Sequence, residues 1–448
     1  MSPTSVPQVM IKFIQGDCLS VLRTLPAESV NCCVTSPPYY NLRSYLGEDH
    51  ADKHHEIGGE ASPAAYVANL VAVFREVRRV LRYDGCAFIV IGDSYAGGAG
   101  GRGDAGRQIV RYTSAGGSTS LKHDGIRIKR GGAGLLKPKD LIGIPWRLAL
   151  ALQAGFSTCT CGVEMRTDLW PVQNGHMVCI ECLLAGRIDS KIVETEKGWW
   201  LRSECIWSKP SPMPESVTDR PTRAHEQVFL LTKSAKYFWD SDAVKEDSSC
   251  FGRQHTTGVQ PPKVRALQDS GCHGKGGNLS INYERLRRNL RSVWTIASQP
   301  FPGSHFATMP PKLAETCIKA GTSERGVCRQ CGAPWARVVE RTSMVVREGP
   351  GRRGLQFSST GSSARTACTG TMLAPPSSTT IGFRQSCSCP SSDPIPATVL
   401  DPFAGSGTTG LVSDRLQRNA ILIDLSDEYE KMARERIQDD APLFAEFT

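Results

Sequence analysis

Thr398-Val399-Leu400-Asp401-Pro402-Phe403-Ala404-Gly405-Ser406-Gly407-Thr408-Thr409-Gly410 is the stretch on which the fold turns. Thr398–Leu400 reads as a buried strand, and the glycine loop after it opens a helix predicted over 408–417. A strand over Ala420–Asp424 and a helix over 427–437 follow. Glycines in such a loop let a ligand approach the backbone, and the helix N-terminus offers free N–H groups. Asp424 ends the second strand 19 residues after Gly405, where a carboxylate can accept both hydroxyls of a ribose. The alternative is a tight strand-to-helix turn with no ligand. Gly405, Gly407 and Gly410 also fit the G-x-G-x-x-G dinucleotide spacing. Only about 40 residues follow the loop, however, too few for a complete dinucleotide fold, so the remaining strands must come from the N-terminal half. There is no GxxxxGK[ST] phosphate loop.

The N-terminal half supplies those strands. Met10–Gln15 and Asn31–Val34 read as short buried strands that run into polar loops, Gly16-Asp17 and Thr35-Ser36-Pro37-Pro38. Ser62-Pro63 predicts an N-cap with proline in the first turn. Tyr66, Leu70, Phe74, Val77 and Leu81 then recur at helical spacing, with Gly85 as the predicted stop. Ala87–Ile91 is the next apolar strand. Further elements are a helix over Ile144–Ala154, strands over Glu204–Trp207 and Gln227–Leu231, and a helix over Pro311–Ala320 that Gly321 should end. The alternation of strand and helix predicts an α/β domain with a parallel sheet. Between these elements, 97–139 reads as a basic mobile loop, and the Ser/Thr/Gly-rich 358–380 as flexible.

Thr35-Ser36-Pro37-Pro38-Tyr39 sits at a strand end. Two prolines stiffen the backbone and fix where its carbonyls point. Ser36 adds a side-chain acceptor and Tyr39 an aromatic face, which together suit an amino group on a flipped, stacked nucleobase. A proline turn at a sheet edge is the plainer alternative.

Taken together, Thr35–Tyr39 and Asp401–Gly410 resemble the motifs of the S-adenosylmethionine-dependent DNA amino-methyltransferases. Their order, catalytic motif before cofactor motif, resembles the circularly permuted beta group. Ile14–Cys18, Ser203–Lys209, His225-Glu226 and Phe306–Leu313 also resemble family segments, so the likeness spans most of the chain. It implies a Rossmann-like methyltransferase α/β mixed sheet flanked by helices, circularly permuted. It implies a target-base site at Ser36, Pro37, Pro38 and Tyr39, with Thr35 beside the cofactor. Asp17 would meet the cofactor adenine, and Asp424 its ribose. Asp401, Pro402, Phe403, Gly405, Ser406, Gly407 and Thr408 would hold the rest. In this family serine at the first catalytic position more often accompanies N4-cytosine enzymes and aspartate N6-adenine enzymes, so Ser36 favours N4 of cytosine. An N6-adenine enzyme is the alternative. The reaction implied is direct attack of the amino nitrogen on the cofactor methyl. No Pro-Cys dipeptide of the C5-cytosine kind occurs.

Seventeen cysteines include two paired sets. Cys159-x-Cys161 and Cys179-x-x-Cys182 stand 17 residues apart; Cys328-x-x-Cys331 and Cys387-x-Cys389 stand 55 apart. Two thiolate pairs complete a tetrahedral structural zinc site, so two zinc-ribbon-like inserts are expected. Reduced, unmetallated thiols are the alternative. Cys32, Cys33 and Cys86 read as small buried hydrophobes. The net charge of +9 is uneven: residues 97–139 hold nine Lys/Arg against Asp104 and Asp124, and 251–297 hold eight against Asp269 and Glu284. A near-neutral body with two basic segments suggests a polyanion partner, nucleic acid first, the alternative being solvated loops whose charge aids solubility; the resemblance implies double-stranded DNA, with the stretch Arg285–Arg291 meeting phosphates.

The chain has 448 residues, 40% hydrophobic and 22% charged, which argues against a membrane-spanning or disordered chain. With no basic-then-apolar leader, a cytoplasmic, nucleoid-associated protein of bacterial or phage type is expected, monomeric or homodimeric. The expected division is 1–158 as the catalytic half, 159–200 as a zinc-ribbon insert and 201–240 as a return to the catalytic domain. A target recognition region at 241–290, a helix-bearing link at 291–327, a second cysteine insert at 328–389 and the cofactor-binding half at 390–448 complete it. Two rivals remain: a zinc-containing nucleic-acid-binding protein with an inactive methyltransferase fold, and a dinucleotide-dependent oxidoreductase.

Overall fold

The computed structural model describes residues 9–42, 46, 49–96, 136–169, 172–173, 176–185, 191–247, 287–299, 308–342, 345–347, 371–374, 377–390, 393–440 and 446–447. Most of the basic loop (97–135), most of the recognition region (248–286), and Phe306 and Ala307 lie outside them. The chain divides into two compact units. One comprises Met1–Trp239, Arg291–Trp335 and Cys387–Thr448; the other comprises Asp240–Leu290 and Ala336–Ser386.

In the first unit the main strands are β1 (Met10–Gln15), β2 (Val30–Thr35), β3 (Leu81–Ile91), β4 (Phe156–Cys159), β5 (Glu164–Arg166), β6 (Ile192–Glu196), β7 (Trp200–Ser208), β8 (His225–Thr232) and β9 (Val293–Thr295), beside a short ribbon of Val172–Gln173 with His176–Met177. The second unit contributes β10 (Ala336–Thr342) and β11 (Ser377–Arg384), and the first unit ends with β12 (Thr398–Asp401), β13 (Asn419–Asp424) and β14 (Glu446–Phe447). The helices are α1 (Cys18–Thr24), α2 (Pro63–Val80), α3 (Ile144–Ala154), α4 (Ile180–Leu184), α5 (Pro311–Gly321), α6 (Thr408–Arg415) and α7 (Asp427–Asp440). The main sheet runs β9-β7-β8-β3-β2-β12-β13-β1-β14. Its central five strands, β3, β2, β12, β13 and β1, are mutually parallel, and β8 lies antiparallel to both β3 and β7. The sheet is therefore mixed. The registers Val399↔Cys32 and Leu400↔Cys33 lay the late strand β12 directly beside the early strand β2. The C-terminal ends of all five parallel strands share one edge, where open α/β sheets bind ligands.

Sequence accounts for the layers. Ser62 caps α2, its Oγ accepting the Ala65 N–H at 3.2 Å, and Pro63 occupies the first turn. Tyr66, Leu70, Phe74 and Val77 form one fully buried face. Each such side chain contributes about 2 kcal/mol by leaving water. The helix ends at Val80, not at Gly85, and the chain enters β3 with no loop. Leu81 satisfies the helical spacing after Val77 and also starts the strand, which is why periodicity overran the boundary. Gly85 lies inside β3 because an added Cβ would stand 2.7 Å from the Leu81 side chain and 2.8 Å from the Asn31 carbonyl. Gly321 likewise is not a stop: it is the last residue of α5, pressed on the buried sulfurs of Cys32 and Cys86, and Thr322 is the cap. Cys32, Cys33 and Cys86 are fully buried core residues.

In the second unit β10 and β11 form an antiparallel ribbon, and Glu246-Asp247 pairs with Arg287-Arg288. Arg337 grips Asp240 through Nε at 3.0 Å to each carboxylate oxygen. Among the described residues no helix is long and apolar enough to cross a membrane.

Candidate active site

Four acidic or hydroxyl-bearing strand ends converge at the shared edge. Asp401 closes β12 and is 2% exposed. Its Oδ1 accepts the Thr35 hydroxyl at 2.6 Å and the Phe403 N–H at 3.1 Å, while Oδ2 accepts the Thr409 hydroxyl at 2.7 Å. This carboxylate is spent on joining β2, β12 and α6. Burial pushes its pKa up to about 6 against the stabilising bonds from Thr35 and Thr409. Asp401, expected among the cofactor-binding residues, uses its side chain to brace β2, β12 and α6.

Asp424, at the end of β13, is half-buried and faces the glycine loop. Its Oδ2 accepts the Gly405 N–H at 2.7 Å and its Oδ1 the Ser426 N–H at 3.0 Å. Burial raises its pKa, opposed by these backbone bonds. Asp17, one residue beyond β1 and Gly16, caps α1 by accepting the Ser20 N–H at 2.9 Å. The Gly16 N–H donates to the Asp424 carbonyl at 2.8 Å, so Asp17 and Asp424 belong to neighbouring strand ends. The two glycines of the turn differ in purpose. Gly405 adopts φ 48° with nothing within 4 Å of an added Cβ, leaving its face open to a ligand. Gly407 adopts φ 73°, and a Cβ there would stand 2.6 Å from that of Ala433 in α7, so it is needed for packing. Ser406 and Thr408 are buried, and both accept from Arg436 Nη1, at 3.0 Å and 2.9 Å, which turns their side chains toward α7. Pro402 is buried and Phe403 half-buried against the main core. The open surface of this loop is thus mainly backbone and Phe403.

The Ser36–Tyr39 loop leaves β2 next to it. Pro37 is buried; Ser36, Pro38 and Tyr39 are half-buried. The Pro38 carbonyl accepts the Tyr66 hydroxyl from α2 at 2.6 Å. The Tyr39 hydroxyl donates to Glu226 Oε2 at 2.5 Å, and Glu226 Oε1 pairs with Lys209 Nζ. The Lys209 ammonium lies 4.4 Å from the centre of the Trp207 ring. The Tyr39 ring also lies on Gly92, where a Cβ would approach its Cε2 to 2.6 Å. Among the described residues no side chain or backbone group bonds the Ser36 hydroxyl. The loop is held on three sides while its first side chain keeps its acceptor.

Sequence reading thus brought Asp17, Thr35–Tyr39, Asp401–Thr408 and Asp424 to one edge. It did not assign roles to Tyr66, Thr409, Arg436 or Gly92, and it had Lys209 and Glu226 only as parts of resembling segments. Tyr66 and Arg436 sit in helices whose pattern signals packing alone, so no local signal marked them. In the basic stretch, Arg288 Nε donates to Glu246 at 3.0 Å and Arg287 to the Lys245 carbonyl at 2.7 Å, which engages both within the protein. Arg285 lies outside the described residues. The cysteines form two groups, Cys159, Cys161, Cys179 and Cys182, and Cys328, Cys331, Cys387 and Cys389, each with all four sulfurs within 4.8 Å of one another.

A family of DNA methylases, the N6/N4 methyltransferases, matches residues 30–329 and 390–435 of this chain. The match spans both edge loops and passes over 330–389. Over 430 residues the chain is 32% identical to the type II methyltransferase M.Cfr9I of Citrobacter freundii, covering 95% of this chain and 86% of that one. Over 426 residues it is 30% identical to the type II methyltransferase M.SmaI of Serratia marcescens, covering 95% and 90%. With a glycine loop, its acidic partner and a Ser-Pro-Pro-Tyr loop on adjacent strand ends, the chain belongs to the N6/N4 DNA methylase family.

Proposed function

We propose that this chain is a type II DNA methyltransferase of the circularly permuted beta group. It moves the methyl of S-adenosylmethionine to the N4 amino group of a flipped cytosine in double-stranded DNA. It acts in the cytoplasm as the methylating arm of a restriction–modification pair. Its cofactors are S-adenosylmethionine and, apart from the reaction, structural zinc. The observation that carries the reading is the 2.6 Å bond from Thr35 to Asp401, which locks the Ser36–Tyr39 loop beside the glycine loop. Similarity to type II methyltransferases supports the DNA-methylating part of this reading.

Asp424 and the open Gly405 backbone suit the cofactor's ribose and its neighbouring groups, Asp17 its adenine, and Phe403 an apolar wall. When bound, the cofactor supplies an electrophilic methyl on a sulfonium. The exocyclic amine is a weak nucleophile because its lone pair is delocalised into the ring. Ser36 Oγ and the Pro37 carbonyl accept its hydrogens, favour a tetrahedral nitrogen and take up the positive charge that develops on it. Tyr39, clamped by Glu226 and Gly92, offers a fixed face for the base to stack on. The methyl would pass from sulfur to the amino nitrogen, the carbon–sulfur electron pair staying on S-adenosylhomocysteine and the displaced amino proton passing to solvent. Alignment of nitrogen, methyl and sulfur supplies the proximity contribution. No enzyme nucleophile is needed.

Ser36 at the first position of the loop favours cytosine over adenine. The test is transfer of labelled methyl from S-adenosylmethionine to unmethylated genomic DNA, followed by nucleoside mass spectrometry. N4-methylcytosine is expected. N6-methyladenine would keep the mechanism and overturn the base. No methylated nucleoside despite cofactor binding would overturn the reading in favour of an inactive nucleic-acid-binding fold.

A further inference from the structure

Neither cysteine group includes a residue of the edge at which methyl transfer is proposed. In the first group the Sγ atoms of Cys159 and Cys182 are 3.6 Å apart, as are those of Cys161 and Cys179. A disulfide would bring two sulfurs to about 2.05 Å. Four thiolates around a zinc ion, each about 2.3 Å from it, stand about 3.8 Å from one another. The observed spacing matches the edge of that tetrahedron. The core pair Cys32 and Cys86 is similar at 3.9 Å, but among the described residues no third or fourth ligand joins it.

The two groups share a backbone device. In the first, the Cys159 N–H donates to the Val163 carbonyl and the Gly162 N–H to the Cys159 carbonyl, both at 2.8 Å. In the second, the Cys328 N–H donates to the Ala333 carbonyl and the Gly332 N–H to the Cys328 carbonyl, also at 2.8 Å. In each, the glycine directly after the second cysteine takes a left-handed conformation, φ 94° and 69°. A glycine-closed knuckle, one residue longer in the second group, thus presents two sulfurs to one point in each.

What surrounds the sulfurs differs. The first group closes the excursion between α3 and β7. The buried cluster of that excursion consists of Cys159, Cys179 and Cys182, with Cys161, Val163, Met165 and Ile192 partly buried around it. A core built of thiols and four half-covered neighbours cannot hold so short a segment; small folds of this kind need a metal or a cross-link. Arg75 of α2 fastens the excursion from outside, pairing with Glu164 at 3.0 Å and with Glu196, its guanidinium 4.3 Å from the centre of the Phe156 ring. The second group is bonded to the main sheet: Asn31 Nδ2 donates to the Gly332 carbonyl at 3.2 Å, and Arg82 donates to the Cys331 carbonyl. Its pairs flank the points where the chain passes into the second unit after Trp335 and returns at Cys387.

We propose that each group binds one Zn²⁺ as a closed tetrathiolate, two ions per chain, with different duties. The first ion substitutes for a hydrophobic core in the excursion over 156–196. The second ties together the two ends of Ala336–Ser386. On binding, four thiols release four protons and leave no open coordination position, so both ions are structural. The proposal does not depend on which base is methylated.

Metal analysis of the purified full-length chain tests it, with cofactor affinity measured alongside. Two zinc ions per chain are expected, falling to one in Cys161→Ser/Cys179→Ser and to one in Cys331→Ser/Cys389→Ser. In the first variant limited proteolysis should cut within 156–196, in the second within 336–386, while S-adenosylmethionine still binds. If a variant does not fold, titrating wild-type thiols with a mercurial while a chromogenic chelator reports released metal gives the same count. Cobalt replacement should add thiolate-to-metal charge-transfer bands and tetrahedral d–d bands. Absence of zinc, iron in its place, or zinc content unchanged by either double variant would overturn the proposal. Loss of cofactor binding with zinc retained would count against the methyltransferase reading instead.

Discussion

The glycine loop and the Ser-Pro-Pro-Tyr loop leave neighbouring parallel strands, yet they are built in opposite ways. In the glycine loop the side chains turn inward: Asp401 bonds Thr35 and Thr409, while Ser406 and Thr408 meet Arg436. What remains for a ligand is backbone, an open glycine and the Asp424 carboxylate. In the Ser-Pro-Pro-Tyr loop, distant residues brace the frame, with Tyr66 on the Pro38 carbonyl and Glu226 on the Tyr39 hydroxyl. What it presents is side chain. A cofactor of constant shape suits a fixed backbone cradle. A base that must arrive, stack and leave suits side chains on a stiff but externally clamped loop.

The difference can be broken most sharply at Ser36. Ser36→Ala removes one acceptor for the charge that develops on nitrogen and is expected to lower kcat about 100- to 1000-fold. Cofactor affinity, measured by calorimetry, should stay within about twofold of wild type, since no cofactor contact is assigned to the hydroxyl. Equal loss of cofactor affinity would mean that the two loops are not functionally separate. Asp424→Ala is the mirror experiment. It removes a carboxylate poised for the ribose and releases the Gly405 N–H. A charged hydrogen bond of about 1.5–3 kcal/mol corresponds to about 10- to 100-fold weaker S-adenosylmethionine binding. The rate at saturating cofactor should change far less than in Ser36→Ala.

The same contrast decides what could be read from sequence. The glycine loop is local: strand, turn, helix and acidic partner lie within 398–424, so residue types and spacing were enough. The strand β1 was legible to the residue, and α3 likewise. The end of α2 was not, because Leu81 obeys the helical spacing and the strand pattern at once. The bracing by Asp401 was not legible, because an aspartate in a motif reads as a ligand group; burial and its three partners reveal the brace. Arg436 and Tyr66 were invisible because each acts across the fold from a helix whose sequence signals nothing but packing. The Ser-Pro-Pro-Tyr loop is therefore half legible. Its own residues are a motif, whereas its supports are scattered from Tyr66 to Glu226.

Asp401 offers a test with a pH axis. Its pKa is raised by burial from 3.8 to about 6 in the folded chain. A raised acid favours folding fully below the unfolded value, and that contribution is lost as pH rises through the folded value. Between about pH 5 and about pH 7 wild type should lose about 1 kcal/mol of stability through this group. Asp401→Asn cannot ionise, so its denaturation midpoint relative to wild type should improve over that interval. A pH-independent difference between the two would show that the carboxylate is not desolvated in solution, and the inward-turned description of the glycine loop would fail with it.

The smallest expected effect concerns the clamp on Tyr39. Glu226 holds the phenol from β8, and Lys209, just past the end of β7 and 4.4 Å from the centre of the Trp207 ring, pairs with Glu226. Both carboxylate oxygens of Glu226 are engaged, one by Tyr39 and one by Lys209, and the role expected of it is to position the Tyr39 ring. Tyr39→Phe keeps the stacking face and removes only the tether; Glu226→Gln keeps the shape and removes the charge that strengthens it. Each should lower kcat about fivefold, with cofactor affinity unchanged, as expected for a hydrogen bond worth about 1 kcal/mol. Because both remove one interaction, the double variant should be no worse than the poorer single variant. Multiplicative losses would mean that Glu226 acts through something other than the Tyr39 ring, and the Ser-Pro-Pro-Tyr loop would then be set by its prolines and Tyr66 alone.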